Sequence, residues 1–252
     1  MLDLIRHDAI LELRMARPPV NALDAGLIHA LRVAVENAPK EGARGLVLSG
    51  RSGLFSGGLD VPSLLTLDRA QMAAVWRDFF GLLGALACSP IPTVAAIGGH
   101  SPAGGAVLSI FCDYRVMARG AYRIGLNEVQ VGLVVPPVIQ AALRRLVGTY
   151  RAERLMVAGA MVDSEQAQAI GFVDELADVD HVTTRAIAWL GEILALPPQA
   201  MANTREIARG DLTALFADAD KLGVDEFVDM WFGDEPQRVL QALVAKLKAK
   251  GG

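Results

Sequence analysis

The chain has 252 residues, of which 52% are hydrophobic and 21% charged, and its formal net charge is −4. That length and composition describe one soluble globular unit, able to bury about three quarters of its unfolded surface without disulfide or metal staples. The absence of a basic run excludes nucleic acid as the main partner, and no apolar stretch reaches the roughly 18 residues of a membrane span.

Residues 2–7 and 9–15 alternate enough to predict two short strands, followed by a Pro-containing loop over 17–21. Asp24 is placed to cap a helix that runs to about Ala38. An apolar strand over 45–50 leads into a loop over 51–60, and a long amphipathic helix over 69–88 carries Trp76, Phe79 and Phe80 on its apolar side. A buried strand over 92–97, a glycine-rich loop over 98–105, a helix to about Cys112 and a strand over 113–118 complete an alternation that implies βαβ units and a largely parallel sheet. The remainder reads as helical, with one short strand near 171–175 and a break near Gly233 and Pro236. This divides the chain into a sheet core, residues 1–195, and a helical C-terminal region, residues 196–252.

Cys88 and Cys112 lie in apolar surroundings and read as buried free thiols of a reducing compartment. The first residues lack the basic start and apolar run of a signal peptide, so the expected location is cytoplasmic. No spacing of His, Cys or carboxylates resembles a zinc or calcium site, and no dinucleotide or Walker-type glycine motif is present. The expectation is an enzyme without metal or nucleotide cofactor.

Two glycine loops stand where chemistry could reside. Phe55-Ser56-Gly57-Gly58-Leu59-Asp60 follows a strand and precedes a helix near Val61; Ala103-Gly104-Gly105 opens the helix after the 92–97 strand. Backbone N–H groups at helix starts favour negative charge, and two converging on one oxygen would form an oxyanion hole. Taken singly, each loop reads equally as a turn or a point of close packing. Ser101 follows a strand as a hydrolase nucleophile would, but the next residue, Pro102, has no N–H to offer an oxyanion. Glu128 sits in a segment nearly devoid of other charge. If buried, it is a raised-pKa general base; if exposed, an ordinary surface carboxylate.

Together these residues resemble the crotonase (enoyl-CoA hydratase/isomerase) superfamily, along nearly the whole chain. The resemblance rests on Arg17-Pro18-Pro19-Val20-Asn21-Ala22-Leu23, on the two glycine loops, and on Cys112-Asp113-Tyr114-Arg115-Val116-Met117-Ala118. It implies the α/β crotonase (ClpP-like) fold of repeated ββα units with a C-terminal helical trimerisation region. It also implies a homotrimer or dimer of trimers, and an acyl-CoA thioester substrate, coenzyme A being part of that substrate rather than a cofactor. Gly57 and Gly104 would supply the oxyanion N–H groups and Glu128 the base. Hydratases of this family place a second glutamate three residues after the second oxyanion glycine, where this chain has Val107. One base suffices to move a proton from the α- to the γ-carbon of a 3-enoyl thioester. Ser101-Pro102-Ala103-Gly104-Gly105 and Ile124-Gly125-Leu126-Asn127-Glu128 look much like the short-chain Δ3-Δ2-enoyl-CoA isomerases of fatty-acid β-oxidation.

Val107, Val131, Val134 and Trp76 are candidate walls of an acyl pocket, or ordinary core. By the same resemblance Ser56 and Leu59 would contact coenzyme A through backbone groups, and Arg17, Lys246, Lys248 and Lys250 could meet its phosphates. Alternative readings are an enoyl-CoA hydratase, another one-base crotonase reaction, and a non-catalytic acyl-CoA-binding protein.

Overall fold

The computed structural model describes residues 1–249 in full and the backbone of Lys250. Strands β1 (Leu2–His7) and β2 (Ile10–Met15) form an antiparallel hairpin with Leu2 opposite Met15. Helix α1 (Ala25–Asn37) starts at Asp24, whose carboxylate accepts the Leu27 N–H at 2.8 Å, as the capping residue predicts.

Three ββα units follow. In each, a strand of the main sheet is succeeded by a much shorter strand that leaves the sheet plane. The first is β3 (Gly45–Ser49), β4 (Gly53–Leu54), then α2 (Val61–Leu64) and α3 (Arg69–Ala87). The second is β5 (Thr93–Ile97), β6 (Gly99–Pro102) and α4 (Gly104–Ile110); the third is β7 (Tyr114–Ala118), β8 (Arg123–Gly125), a single 3-10 turn over Glu128–Val131 and α5 (Pro137–Val147). Then come α6 (Thr149–Val157), β9 (Val162–Asp163), α7 (Ser164–Ala169), β10 (Glu175–Ala177) and α8 (Val182–Leu194). The chain ends with α9 (Pro198–Ala208), α10 (Gly210–Thr213), α11 (Val224–Trp231) and α12 (Asp234–Lys250).

The long strands make a six-stranded sheet in the order β1-β2-β3-β5-β7-β10, parallel from β2 onward. The short strands make a second sheet in the order β4-β6-β8-β9. Both faces of the main sheet are covered, so its strands are apolar at odd and even positions alike. Leu46, Leu48, Ala95 and Ile97 face the larger core under α1 and α3, while Val47, Val94, Ala96 and Val116 face α8 through Val182, Ala186 and Leu190. Each large apolar side chain so buried contributes about 1.5–3 kcal/mol before conformational entropy is charged against it.

Three differences from the sequence reading have physical causes. Strands β4, β6, β8 and β9 have two to four residues each, too few for alternation to show, and two of them fall inside expected loops. The pairing of β4 with β6 depends on Gly99: a Cβ there would lie 1.9 Å from the Gly53 carbonyl carbon. The strand expected near 171–175 lies at Glu175–Ala177, because Gly171 at φ +78 first turns the chain out of α7. Cys112 is buried, and burial pushes its thiol up to about 12, whereas Cys88 is exposed at the end of α3, which corrects the reading of both as buried. No helix among the described residues is long and apolar enough to cross a membrane.

The C-terminal helices share the main core. Phe227 of α11 packs on Trp76 of α3 with ring centroids 3.8 Å apart, and Trp231 and Leu240 are fully buried. Asp113 anchors the preceding segment, receiving hydrogen bonds from Arg205 Nε and Nη2 at 2.8 Å and from Arg209 Nη1 at 2.9 Å.

Candidate active site

The two short parallel strand pairs bring three loops to one place. After β6, Ala103 adopts φ 43 and ψ −116, a sparsely populated backbone state that turns the chain abruptly into α4. Gly104 is the first residue of that helix, so its N–H has no intrahelical acceptor, and among the described residues it meets no other.

The first loop is held by a dense set of hydrogen bonds. Asn21 Nδ2 donates to the Phe55 carbonyl at 3.1 Å, and Ser56 Oγ donates to the Asn21 carbonyl at 2.8 Å while accepting the Gly58 N–H at 3.2 Å. Leu23 forms a parallel bridge to Leu59: its N–H donates to the Gly58 carbonyl at 2.8 Å and its carbonyl accepts the Asp60 N–H at 3.0 Å. In such a bridge the N–H of the central residue, Leu59, points to the opposite side, and it meets no acceptor among the described residues. The expectation for Gly57 is corrected here. Its N–H donates to the Val20 carbonyl at 2.7 Å, so it is not free for a ligand.

Leu59 and Gly104 are neighbours. A Cβ built on Gly58, whose φ is +86, would lie 3.6 Å from the Gly104 nitrogen, and one on Gly104 would lie 3.6 Å from the Gly58 carbonyl carbon, to which the Leu59 nitrogen is bonded. Two unpaired amides thus sit side by side, and the close approach requires both glycines. Such a pair can stabilise a negative oxygen.

Glu128 comes from the third unit. β8 pairs with β6, Pro102 opposite Gly125, and the Ala103 N–H donates to the Gly125 carbonyl at 2.9 Å. Three residues further on, the Glu128 Cα is within about 11 Å of Gly125 by chain length alone. Glu128 is only 8% exposed, in a segment whose Leu126, Leu133 and Val135 are also buried, and its Oε2 has no hydrogen-bond partner. Burial pushes the carboxyl up to about 7, against a small opposing effect of its own backbone N–H. Of the two readings left open by the sequence, the buried one holds. Only one other carboxylate among the described residues is buried, Glu12 on β2, and it is bound by Ser49, Arg14 and His7 of β3, β2 and β1. A turn of α12 roofs the Glu128 segment, since a Cβ on Gly132 would lie 3.3 Å from Pro236 Cα.

The other expected residues fall as follows. Val107 is buried one turn into α4, Trp76 is buried against Phe227, and Val131 is half-buried in the Glu128 turn. Val134 is 57% exposed, so it does not form an enclosed wall. The Ser56 hydroxyl is fully buried in the loop network, which leaves it a structural task. Arg17 is engaged by Asp24 at 2.9 Å and Asp60 at 2.5 Å, the capping residues of α1 and α2. Its guanidinium therefore ties two helix starts to the donor loop instead of standing free for a phosphate. Lys246 and Lys248 are exposed near the end of α12, and the Lys250 side chain lies outside the described residues. Ser101 is buried in β6 with its hydroxyl unpartnered and crowded by Gly105, an arrangement unlike an exposed nucleophile. Sequence reasoning missed Leu59 as a free donor; the signal would have been the bridge with Leu23, which no local pattern reveals.

Repeated ββα units whose short strands set two unpaired amides side by side, with a buried carboxylate on the adjoining unit, define the crotonase class of α/β proteins. The chain belongs to the enoyl-CoA hydratase/isomerase family, whose pattern matches residues 6–250. It is 30% identical over 255 residues to the human mitochondrial enoyl-CoA delta isomerase 1, covering 99% of this chain and 84% of that protein. A probable enoyl-CoA hydratase of Mycobacterium avium is 32% identical over 201 residues, covering 79% of this chain and 78% of that protein. The crystal structure of human mitochondrial Δ3-Δ2-enoyl-CoA isomerase superposes with a TM-score of 0.93 at 29% identity, covering 100% of this chain and 99% of that one.

Proposed function

We propose that this protein isomerises 3-enoyl-CoA thioesters to trans-2-enoyl-CoA, with Glu128 as the only proton carrier and the amides of Leu59 and Gly104 holding the thioester oxygen. The observation that carries the reading is the adjacent pair of unpaired amides together with Glu128 of the adjoining ββα unit, which among the described residues is the one buried carboxylate with an oxygen, Oε2, that has no hydrogen-bond partner. Charge develops on the thioester oxygen as the α-proton leaves. Donors already oriented in a water-poor site stabilise that enolate without reorganising. Glu128, ionised near neutral pH, takes the α-proton and returns it to the γ-carbon, so no second acid is required. Val107, at the position of the hydratases' second glutamate, can neither hold nor activate a water. Trp76 and Val131 are proposed as acyl-pocket walls, and the homotrimer or dimer of trimers as the assembly.

Hydration is the second reading, favoured by the mycobacterial relative named as a probable hydratase. The two are separated by giving the protein 3-enoyl-CoA and trans-2-enoyl-CoA in parallel and identifying the products by mass spectrometry. The proposal expects conjugated enoyl-CoA from the first and no water addition to the second. Efficient formation of 3-hydroxyacyl-CoA would replace isomerase by hydratase, and binding without turnover of either would leave an acyl-CoA-binding protein.

A further inference from the structure

A second polar centre lies between the core and the C-terminal helices. It is a cavity of about 230 Å³ whose lining includes Arg115, Arg145, Arg205, Arg209, Asp113 and Cys112. Four guanidinium groups meeting in one cavity is a costly arrangement unless anions offset them. Asp113 binds Arg205 and Arg209 at 2.8 and 2.9 Å, Asp174 binds Arg115 at 2.6 Å, and Asp211 binds Arg145 at 3.1 Å. Three carboxylates thus face four guanidiniums, which leaves one positive charge over. The Cys112 thiol does not supply the missing negative charge, since burial keeps it protonated up to about 12. Burial, and the nearby charges of Arg205 and Arg145, hold Arg209 below the usual arginine value despite Asp113. Arg115 is only 3% exposed; its Nη1 donates to the Cys112 carbonyl at 3.0 Å, and its fully enclosed Nε has no hydrogen-bond partner. The space is several times the roughly 30 Å³ a water occupies in the liquid.

We propose that this cavity is a binding site for a small tetrahedral oxyanion such as inorganic phosphate, separate from the acyl-CoA site. Guanidinium forks match the oxygens of such an ion better than they match a spherical halide. The anion would balance the leftover charge. Arg205 and Arg209 belong to the C-terminal helical segment, and Arg115 and Arg145 to β7 and α5, so an occupant would join the two parts of the chain.

The test is thermal unfolding of the whole protein in increasing phosphate at constant ionic strength, with chloride as the balancing anion, and with and without saturating coenzyme A. Binding to the folded state alone raises the midpoint by about 5–10 °C at a hundredfold excess over Kd. The proposal expects a saturable rise with phosphate that persists when coenzyme A occupies its own site. It also expects R145Q, a partly exposed position, to lose most of that rise. No saturable rise at fixed ionic strength would overturn the proposal, as would a rise that coenzyme A abolishes or one that R145Q retains in full. If R145Q does not fold, the wild-type titrations with and without coenzyme A still decide.

Discussion

At the scale of single residues, the chemistry rests on how burial treats one carboxyl group. Unfolded, Glu128 gives up its proton near 4.5; folded, it does so near 7. The folded state therefore binds the extra proton between those values, and stability falls as pH rises through that window, by about 3 kcal/mol in all. The E128Q variant lacks this loss. Chemical denaturation at about pH 5 and about pH 8 should show wild type weakening relative to E128Q, and parallel behaviour would mean the carboxyl is not held in its apolar setting. The backbone donors can be tested one at a time by replacing an amide with an ester. Removing the Leu59 N–H should lower kcat about 10²- to 10³-fold. Removing the Gly57 N–H should instead loosen the loop through the lost Val20 bond, and a larger kcat effect at Gly57 than at Leu59 would reverse the assignment. Glu128 was legible as a candidate because its neighbours carry almost no charge. The choice between Gly57 and Leu59 was not, because it depends on which carbonyls, those of Val20 and Leu23's partners, lie across the loop.

At the scale of elements, the site is made by strands too short to announce themselves. The long strands and α1, with its Asp24 cap, follow directly from alternation and capping residues, and they set the main sheet. The donor residues lie in what read as loops, where β4 and β6, and then β6 and β8, pair over two residues each and fix the turn at Ala103. Gly99 is the tightest point of that pairing. A G99A variant forces a methyl into the Gly53 backbone and should cost about 1–3 kcal/mol or more, with kcat falling further than the loss of folded protein explains. An unchanged unfolding midpoint in a thermal melt would show that the two strands do not approach so closely.

At the scale of the whole molecule, the C-terminal helices are bound to the core by two different means. One is apolar, through Phe227 on Trp76 and the buried Trp231 and Leu240. The other is the Asp113 junction with Arg205 and Arg209. Burial works against the Asp113 charge, but hydrogen bonds from Arg205 and the charges of Arg209 and Arg205 outweigh it and hold the carboxyl below its usual value. The stability so gained is present above about pH 3.8, the unfolded value, and is lost as pH falls below it. D113N leaves two guanidiniums without their partner and should cost about 3–5 kcal/mol, read as a lower denaturant midpoint at neutral pH. A loss under about 1 kcal/mol would show the junction to be solvated like a surface pair. Helices in this region were legible from composition and periodicity. Their attachment was not, since Asp113 and Arg205 are far apart in sequence and no local pattern pairs them.

The central claim is that one carboxylate carries the proton. The most direct measurement is turnover of 3-enoyl-CoA by wild type and E128Q from about pH 5 to about pH 9. Wild-type activity should rise with pH through a value near 7, where Glu128 ionises, and E128Q should be slower by about 10²- to 10⁴-fold at every pH. Near-normal isomerisation by E128Q, with the same pH profile as wild type, would contradict the account.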